Sequence, residues 1–277
     1  MLREPHHDNT MAILLDGKAL AEKIKSELKE KIEKMQTKPG LATILVGTNP
    51  ASQLYVKLKA KACAEVGIEF SSYFLEENCP EKKILEVINF LNKDSQINGI
   101  LLQLPLPKIF DTDKIISKIS PQKDVDGFHS DSKVVSPNVL GIIELIKSTD
   151  VNLKKKKVIV LSNSKKFAEP FKNLLGTSFV EWLNPKVSSS KLQAISSQAD
   201  IFIVAIGKPN FIKLDMVKKD AIVIDVGINK VNGKTIGDVD PSVDKIVAYR
   251  SPVPGGVGPI TIAMLLSNLY QLAKIDK

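Results

Sequence analysis

Cysteine, histidine and tryptophan are scarce in this sequence: its 277 residues contain two cysteines, three histidines and one tryptophan. Cys63 lies inside a helical pattern and Cys79 stands before a proline, so the two thiols have neither the spacing of metal ligands nor that of a disulfide framework. We therefore expect two reduced thiols and no metal site.

Long apolar runs are also absent. No stretch approaches the ~18 uninterrupted apolar residues that a membrane-spanning helix needs, and the start of the chain lacks the apolar segment of a secretory signal. The sequence therefore predicts a cytoplasmic protein with no membrane association. Residues 1–10 show no periodicity and precede a second methionine, Met11. We interpret them as a disordered leader or a cloning remnant, in which His6 and His7 are not ligands.

Acidic residues are outnumbered by basic ones, 31 to 39, which gives a formal net charge of +8. A positive balance can indicate a nucleic-acid or other anionic partner. Here, however, lysines alternate with glutamates along amphipathic helices, and the densest cluster, Lys154–Lys157, has no interleaved aromatic residues. We interpret the charge as a solvated surface and expect no nucleic-acid partner.

What the sequence does contain is an alternation of helical and strand patterns. Leu20, Ile24, Leu28 and Ile32 recur every fourth position, which is typical of an amphipathic helix. The continuous apolar run that starts at Leu41 predicts a strand covered on both faces. Further strands are predicted at IEFSSYFL, INGILLQLPLP, VIVLS, FVEWL, DIFIVAIG, AIVIDVG and KIVAY, and further helices at about 51–66, 81–91 and 259–274.

This rhythm predicts an α/β protein with parallel sheets and helical crossovers. A polar, turn-rich segment at residues 120–137 divides the pattern in two. We predict an N-terminal βαβ domain at 11–135 and a Rossmann-like domain at 136–258. The last helix, within 259–277, is predicted to return to the first domain and complete it.

Polar side chains in the first domain indicate a possible reactive site. Ser52 can cap the helix after the first buried strand, and Tyr55 and Lys59, four residues apart, share one face of that helix. From spacing alone, an ordinary lysine-rich surface is the slightly stronger interpretation. Gln103 is a lone amide in an apolar strand, near the carboxyl end where ligands of open α/β sheets bind. It either satisfies a local polar group or faces a ligand.

Two further segments carry polar or conformational signals. In KDVDGF, alternation directs Asp124 and Asp126 alike; either can accept N–H donors from a heterocycle, or the pair only shapes an Asx turn. Metal binding would need more carboxylates than this segment has. In SPVPGGVGPIT, residues 254–257 supply a rigid entry and paired glycines that let the backbone approach a ligand, before a helix whose N–H groups can face it.

Together, the segments PASQLYVKLK, LLQLPLP, KDVDGF, VIDVGIN, GDVD and PVPGGVGPIT resemble, in the same order, signature segments of the bifunctional methylenetetrahydrofolate dehydrogenase/methenyltetrahydrofolate cyclohydrolase family. The resemblance runs from about Leu15 to the C-terminus. It implies a homodimer of two-domain subunits, with tetrahydrofolate derivatives bound between a catalytic domain and an NADP-binding Rossmann domain. The implied activities in one-carbon metabolism are oxidation of 5,10-methylenetetrahydrofolate to the methenyl form and its hydrolysis to 10-formyltetrahydrofolate.

The resemblance also implies roles for individual residues. Lys59 matches the catalytic lysine, Tyr55 and Gln103 its orienting partners, and Asp126 the aspartate that holds the pterin ring. The implied substrate-binding residues are Ser52, Tyr55, Lys59, Leu102, Gln103, Leu104, Asp126, Pro254, Gly255, Gly256, Val257 and Gly258. The implied cofactor-binding residues are Ser162, Asn163, Ser164, Gly207, Gly227 and Ile228.

The sequence departs from the family pattern where the phosphates of NADP are expected. The family usually has G-R-S-x-x-V-G-x-P at this point, whereas this chain has SNSKKFAEP at 162–170, so both glycines and the arginine are missing. The segment around Asn184 also lacks the family's histidine-serine pair. Without the first glycine the backbone loses its usual close approach to the phosphates. Without the arginine a 2′-phosphate loses its usual bidentate partner.

Three interpretations follow from this departure. The favoured one is an enzyme with both activities and an altered cofactor site, which uses NAD or takes phosphate contacts from Lys165 and Lys166. The second is a cyclohydrolase with a vestigial cofactor domain. The third is a non-catalytic folate-binding or partner-binding subunit, against which the retention of the Lys59 site argues.

Overall fold

A computed structural model describes residues 11–177 and 179–275. In chain order they form β1 (Ile13–Leu14), α1 (Gly17–Glu33), β2 (Gly40–Val46), α2 (Pro50–Val66), β3 (Glu69–Leu75), α3 (Glu81–Lys93), β4 (Gly99–Leu102), α4 (Thr112–Ile116), α5 (Pro137–Lys147), β5 (Val158–Ser162), α6 (Lys165–Leu174), β6 (Val180–Leu183), α7 (Ser189–Ser196), β7 (Ile201–Ala205), a 3-10 turn (Leu214–Met216), β8 (Ile222–Asp225), β9 (Asn229–Val231), β10 (Lys234–Ile236), a 3-10 turn (Pro241–Lys245), β11 (Tyr249–Arg250) and α8 (Val257–Ile275). The described residues group into two compact units. We call 21–140 with 261–275 the three-stranded unit, and 11–20 with 141–260 the six-stranded unit.

The three-stranded unit is built on the parallel sheet β3-β2-β4. Every residue of β2 is buried, as the apolar run from Leu41 predicts, because helices cover both faces of this sheet. On one face, α3 packs Ile84 and Ile88 against alternate residues of β2. On the other face, α1, α2 and α8 enclose Leu41 and Leu101.

The last helix, α8, is anchored in the core of the three-stranded unit. Leu265 and Leu269 pack there among the residues of α1 and α2. Between them, the buried side chain of Asn268 donates hydrogen bonds from Nδ2 to the carbonyl oxygens of Val125 at 3.0 Å and Val135 at 2.9 Å. The predicted return of the C-terminal helix to the first domain is confirmed.

The six-stranded unit is built on the parallel sheet β1-β11-β8-β7-β5-β6. Crossovers through α6 and α7 bury its central strands, which confirms the predicted Rossmann-like rhythm and the two-domain α/β class. The hairpin β9–β10 was not predicted. Its turn residues Asn232 and Gly233 have φ of 49° and 77°, the left-handed pair that Asn-Gly supplies to a tight hairpin.

The compact units begin and end at different residues from the predicted domains. Residues 11–20, predicted in the first domain, belong to the six-stranded unit. The physical reason is backbone pairing: β1 lies parallel to β11 with Ile13 opposite Tyr249, and the N–H of Leu15 donates to the carbonyl of Arg250 at 2.8 Å. Of the predicted strand KIVAY, only Tyr249 belongs to β11, because the residues that precede Tyr249 form the end of a 3-10 turn followed by a bend.

Cys63 and Cys79 are buried free thiols, as predicted. Among the helices of the described residues, none is long and apolar enough to cross a membrane. The interpretation of residues 1–10, with His6 and His7, lies outside the described residues.

Candidate active site

Helix α2 presents two of the predicted site residues. Asn49 caps the helix, because its Oδ1 accepts hydrogen bonds from the N–H groups of Ala51 at 3.0 Å and Ser52 at 3.1 Å. The prediction that Ser52 is the cap is therefore wrong: this side chain is buried inside the first turn. Tyr55 and Lys59 follow on one face of the helix, and both are half-buried.

Gln103 holds the ammonium of Lys59. Strand β4 ends at Leu102, so Gln103 is the first residue beyond the strand rather than inside it as predicted, although its N–H still donates to the carbonyl of Ile44. Its Nε2 donates to the Leu104 carbonyl at 2.8 Å, and its Oε1 accepts from Lys59 Nζ at 2.9 Å. The Leu104 carbonyl holds the NH₂ group of Gln103, which leaves the amide oxygen facing Lys59. An ammonium can only donate, so the amide oxygen is the atom that accepts from it.

Burial and charge change the acidity of the groups around Lys59. Burial lowers the pKa of the Lys59 ammonium, and the negative charge of Asp126 opposes this effect. Burial raises the pKa of the Asp126 carboxyl to about 6, against the influence of the Lys59 charge. Burial also raises the pKa of the Tyr55 phenol, which keeps it protonated near neutral pH. A lysine with a lowered pKa is better suited to exchange protons with a substrate.

The two aspartates of KDVDGF have different roles. Asp124 is buried, and its carboxylate accepts hydrogen bonds from the backbone N–H groups of Asp126 at 3.2 Å and His129 at 2.8 Å, so it shapes the local turn. Among the described residues, none donates a hydrogen bond to the carboxylate of Asp126. That carboxylate therefore keeps its acceptor capacity for a ligand. No cluster of metal-ligating side chains was found within the described ranges.

The leucines that flank Gln103 pack towards the core of the three-stranded unit. Leu102 is buried in the cluster between the sheet and α3, and the half-buried Leu104 packs against the same cluster. Both belong to the predicted substrate-binding set, and that role stays a prediction.

The predicted glycine loop, residues 251–258, lies in the six-stranded unit and leads into α8. Gly255 has φ of +109°, a conformation that a side chain would strain. Gly256 has no room for a side chain, because a Cβ there would lie 2.6 Å from the Pro252 carbonyl oxygen. A Cβ on Gly258 would meet nothing within 4 Å, so that position has open space next to it. Close packing thus explains the second of the paired glycines, which the sequence alone assigns to ligand approach.

The predicted cofactor residues Gly207, Gly227 and Ile228 follow the carboxyl ends of β7 and β8. Gly207 has φ of +68°, with open space where a side chain would be, and Ile228 exposes 53% of its surface. Two buried aspartates behind these turns, Asp225 and Asp238, received no role from the sequence reasoning. The available signal was a carboxylate at the end of an apolar strand, in VIDVG, and another in the quoted segment GDVD.

Comparison with known proteins assigns this arrangement to a family. The catalytic domain of tetrahydrofolate dehydrogenase/cyclohydrolase matches residues 15–126, and the NAD(P)-binding domain of the same proteins matches residues 136–277. The chain belongs to the tetrahydrofolate dehydrogenase/cyclohydrolase family. The resemblance drawn from the six sequence segments is confirmed.

Relatives in this family match over nearly their whole length. The bifunctional protein FolD of Acetivibrio thermocellus is 43% identical over 96% of this chain and 98% of its own. The crystal structure of the bifunctional enzyme FolD from Campylobacter jejuni is 44% identical, with a TM-score of 0.91 over 96% of this chain and 100% of that one. The dehydrogenase-cyclohydrolase of Trypanosoma brucei, solved with NADP and an inhibitor, is 32% identical, with a TM-score of 0.90 over 96% and 98% of the two chains.

The junction between β5 and α6 is where this family member departs from the tetrahydrofolate dehydrogenase/cyclohydrolase pattern. Ser162 replaces the first glycine without a left-handed φ; its hydroxyl is buried and donates to the Ser164 carbonyl at 2.8 Å. Ala168 replaces the second glycine and is one of the buried residues of α6. Asn163, in place of the arginine, donates its Nδ2 to the Ile206 carbonyl at 3.1 Å. The chain therefore builds this turn without the glycines.

Proposed function

We propose that this chain oxidises 5,10-methylenetetrahydrofolate with NADP and hydrolyses the resulting methenyl cation to 10-formyltetrahydrofolate. One observation carries the proposal: the hydrogen bond of 2.9 Å between Lys59 Nζ and Gln103 Oε1, close enough to Asp126 for its charge to act on the lysine. Family membership supports both the substrate class and the two activities. The Lys59 site is assigned to the three-stranded unit, and the dinucleotide site to the six-stranded unit.

Hydrolysis is the step that needs proton transfer from the protein. Water adds to the methenyl carbon, and a carbon–nitrogen bond then breaks, so both protons must leave the water oxygen as it becomes the formyl oxygen: one reaches the nitrogen of the broken bond and the other is released to solvent. Lys59 is assigned to this exchange, because burial lowers its pKa. Gln103 holds its Nζ in one position, and Tyr55 lies one turn away on the same face of α2. Asp126 anchors the pterin ring by accepting from its N–H groups.

Oxidation needs placement more than acid or base. The chemistry that a bound nicotinamide would supply is acceptance of the hydride, with its two electrons, from the methylene carbon. The residues of the six-stranded unit fit a dinucleotide: the Gly207 turn has free space beside it, and Ile228 offers an exposed apolar surface. Ser164 begins α6 with no side-chain cap, so the first N–H groups of this helix are available to phosphate.

The first test separates catalysis from binding. In Lys59→Ala, methenyltetrahydrofolate hydrolysis should be lost, whereas folate binding measured by calorimetry should survive. Lys57→Ala is the matched control, because Lys57 is an exposed lysine on the same helix. Folate binding without hydrolysis by the wild-type protein would instead favour the non-catalytic subunit.

A second candidate function, cyclohydrolase activity alone, rests on one departure from the family pattern. The β5–α6 turn has Asn163 where the family pattern has an arginine, and the amide of Asn163 is bonded to the backbone. Calorimetric titration with NADP and then NAD, beside a hydrolysis assay on the same sample, decides between the candidates. Binding of NADP, or of NAD in its place, supports both activities and names the cofactor. Hydrolysis without dinucleotide binding supports the cyclohydrolase alone.

Two finer assignments complete the proposal. We infer a homodimer, because the family resemblance implies one. We also infer a cytoplasmic location with neither nucleic acid nor membrane as partner, because the hydropathy and charge patterns of the sequence predict it. Light scattering coupled to size-exclusion chromatography tests the dimer, and a mass equal to a single 30.4 kDa chain would refute it.

A further inference from the structure

The carboxylate of Asp238 lies inside the turn that follows β7. It is fully buried and accepts four hydrogen bonds. Oδ2 accepts from the backbone N–H groups of Ile206 at 2.7 Å and Gly207 at 3.0 Å, and Oδ1 accepts from Lys208 N–H at 2.8 Å and Asn229 Nδ2 at 2.9 Å. A carboxylate removed from water needs such donors. Three consecutive N–H groups thus converge on an anion that the chain itself supplies.

This convergence determines the shape of the Gly207 turn. Consecutive backbone N–H groups often form a concave site for a bound anion, and here Asp238 occupies that position. Gly207 has a left-handed φ, and a Cβ there would meet nothing within 4 Å. The glycine is therefore required by the backbone conformation, and the space beside it is open to a ligand.

Asp225 supports the segment that carries Asp238. Its carboxylate accepts hydrogen bonds from the N–H groups of Gly227, Asp238 and Val239, each at 2.9 Å. A Cβ at Gly237 would clash with Asp225 Oδ2, and a Cβ at Gly227 would lie 2.3 Å from Asp238 Oδ1. Both glycines are thus required by the two carboxylates.

The same network reaches the glycine loop at 251–258. The N–H of Asp225 donates to the Oγ of Ser251 at 2.7 Å, and Ser251 is fully buried. A Cβ at Gly256 would lie 2.9 Å from the Cβ of Ser251. The contact with this loop is thus made by the backbone of Asp225, whereas the carboxylate of Asp238 contacts only the Gly207 turn and Asn229.

We propose that Asp238 is a positioning residue for dinucleotide binding, with Asp225 as its support. The inference rests on the proposed function. Asp238 is enclosed by its own donors, so it acts through the Gly207 turn and through Asn229, the neighbour of the exposed Ile228. Replacing it should weaken dinucleotide binding and leave the hydrolysis site on α2 and β4 unchanged.

The experiment is a calorimetric titration with NADP of the full chain and of Asp238→Asn, with methenyltetrahydrofolate hydrolysis measured on the same samples. The asparagine keeps one acceptor but turns an NH₂ group towards N–H donors, so we expect the Kd for NADP to rise by about tenfold or more. Hydrolysis should stay within about twofold of the wild-type rate, which also reports that the variant is folded. Asp240→Asn is the control, because Asp240 lies two residues further on and pairs with Lys213 at the surface.

Each outcome decides the assignment. Wild-type NADP affinity in Asp238→Asn overturns it, and so does a parallel loss of hydrolysis in a folded variant, because the role would then be general to the structure. If Asp238→Asn does not fold, Asn229→Ala decides: it removes one donor of the four, and NADP binding must weaken while hydrolysis is kept. Failure of the wild-type protein to bind either NADP or NAD refutes the proposed dehydrogenase and this assignment together, whereas equal affinity of both proteins for the dinucleotide that the wild type binds refutes the assignment alone.

Discussion

Replacing Asp126 with asparagine should make the protein more stable above about pH 6, because it removes a charge that the fold holds at a cost. Burial raises the pKa of this carboxyl from 3.8 to about 6, even though the Lys59 charge lowers it. A shift of about two units corresponds to roughly 3 kcal/mol. The folded state binds the proton of this carboxyl more tightly than the unfolded state does. The free energy of unfolding therefore falls as the pH rises from 3.8 to about 6, and the full cost of the charge, roughly 3 kcal/mol, remains at higher pH.

Urea unfolding of the wild-type protein and Asp126→Asn at about pH 4 and about pH 7.5 measures this cost. The variant should exceed the wild type by roughly 3 kcal/mol at the higher pH and by little at the lower one. Asp124→Asn is the contrasting control: its carboxylate accepts two backbone hydrogen bonds, so the substitution should lower stability at neutral pH. A gain from Asp126→Asn that does not depend on pH, or a loss at the higher pH, would refute the reasoning.

Other predictions concern the lysine, the core and the helix cap. Gln103→Met removes the acceptor of Lys59, so the pKa of Lys59 should fall and the limb of the hydrolysis pH profile that this lysine governs should move to lower pH. Gln103→Glu should raise the pKa of Lys59 and move the same limb to higher pH. An unchanged pH profile in both variants would contradict the role of the lysine. Thr43 is fully buried and its hydroxyl has no hydrogen-bond partner in the described part of the chain, so Thr43→Val should raise the free energy of unfolding by about 1 kcal/mol in urea, and a decrease would show that the hydroxyl is satisfied. Asn49→Ala removes the cap of α2 and should lower the free energy of unfolding by about 1 kcal/mol, whereas Asn49→Asp keeps the acceptor and should not.

Sequence periodicity predicted most of the secondary structure because burial follows it closely. The apolar run from Leu41 became a strand buried on both faces, and the helices at about 51–66 and 81–91 began and ended within a few residues of the prediction. Predictions that depended on single contacts were less successful. Ser52 and Asn49 are both acceptable caps by residue type, and only backbone geometry decides between them. The Asn-Gly pair at 232–233 is itself a sequence signal for a tight hairpin, because both residues tolerate a left-handed φ.

The candidate site divides in the same way. Residue types and their order along the chain were enough to identify the family, because the six segments can be compared directly as sequence. The pairing of Lys59 with Gln103 joins residues 44 positions apart, and no local pattern specifies the direction of an amide. The different roles of Asp124 and Asp126 depend on which carboxylate the following backbone N–H groups reach.

By itself, then, the sequence determined the α/β class, the order of the elements and the family, since these follow from local periodicity and from residue identity along the chain. Only the tertiary structure decided that β1 pairs with β11, that no donor in the described ranges reaches the carboxylate of Asp126, and that Asp225 and Asp238 support the turns after β7 and β8. These are contacts between residues distant in sequence, and a buried backbone or carboxylate takes whichever partner the packed chain brings within hydrogen-bond distance.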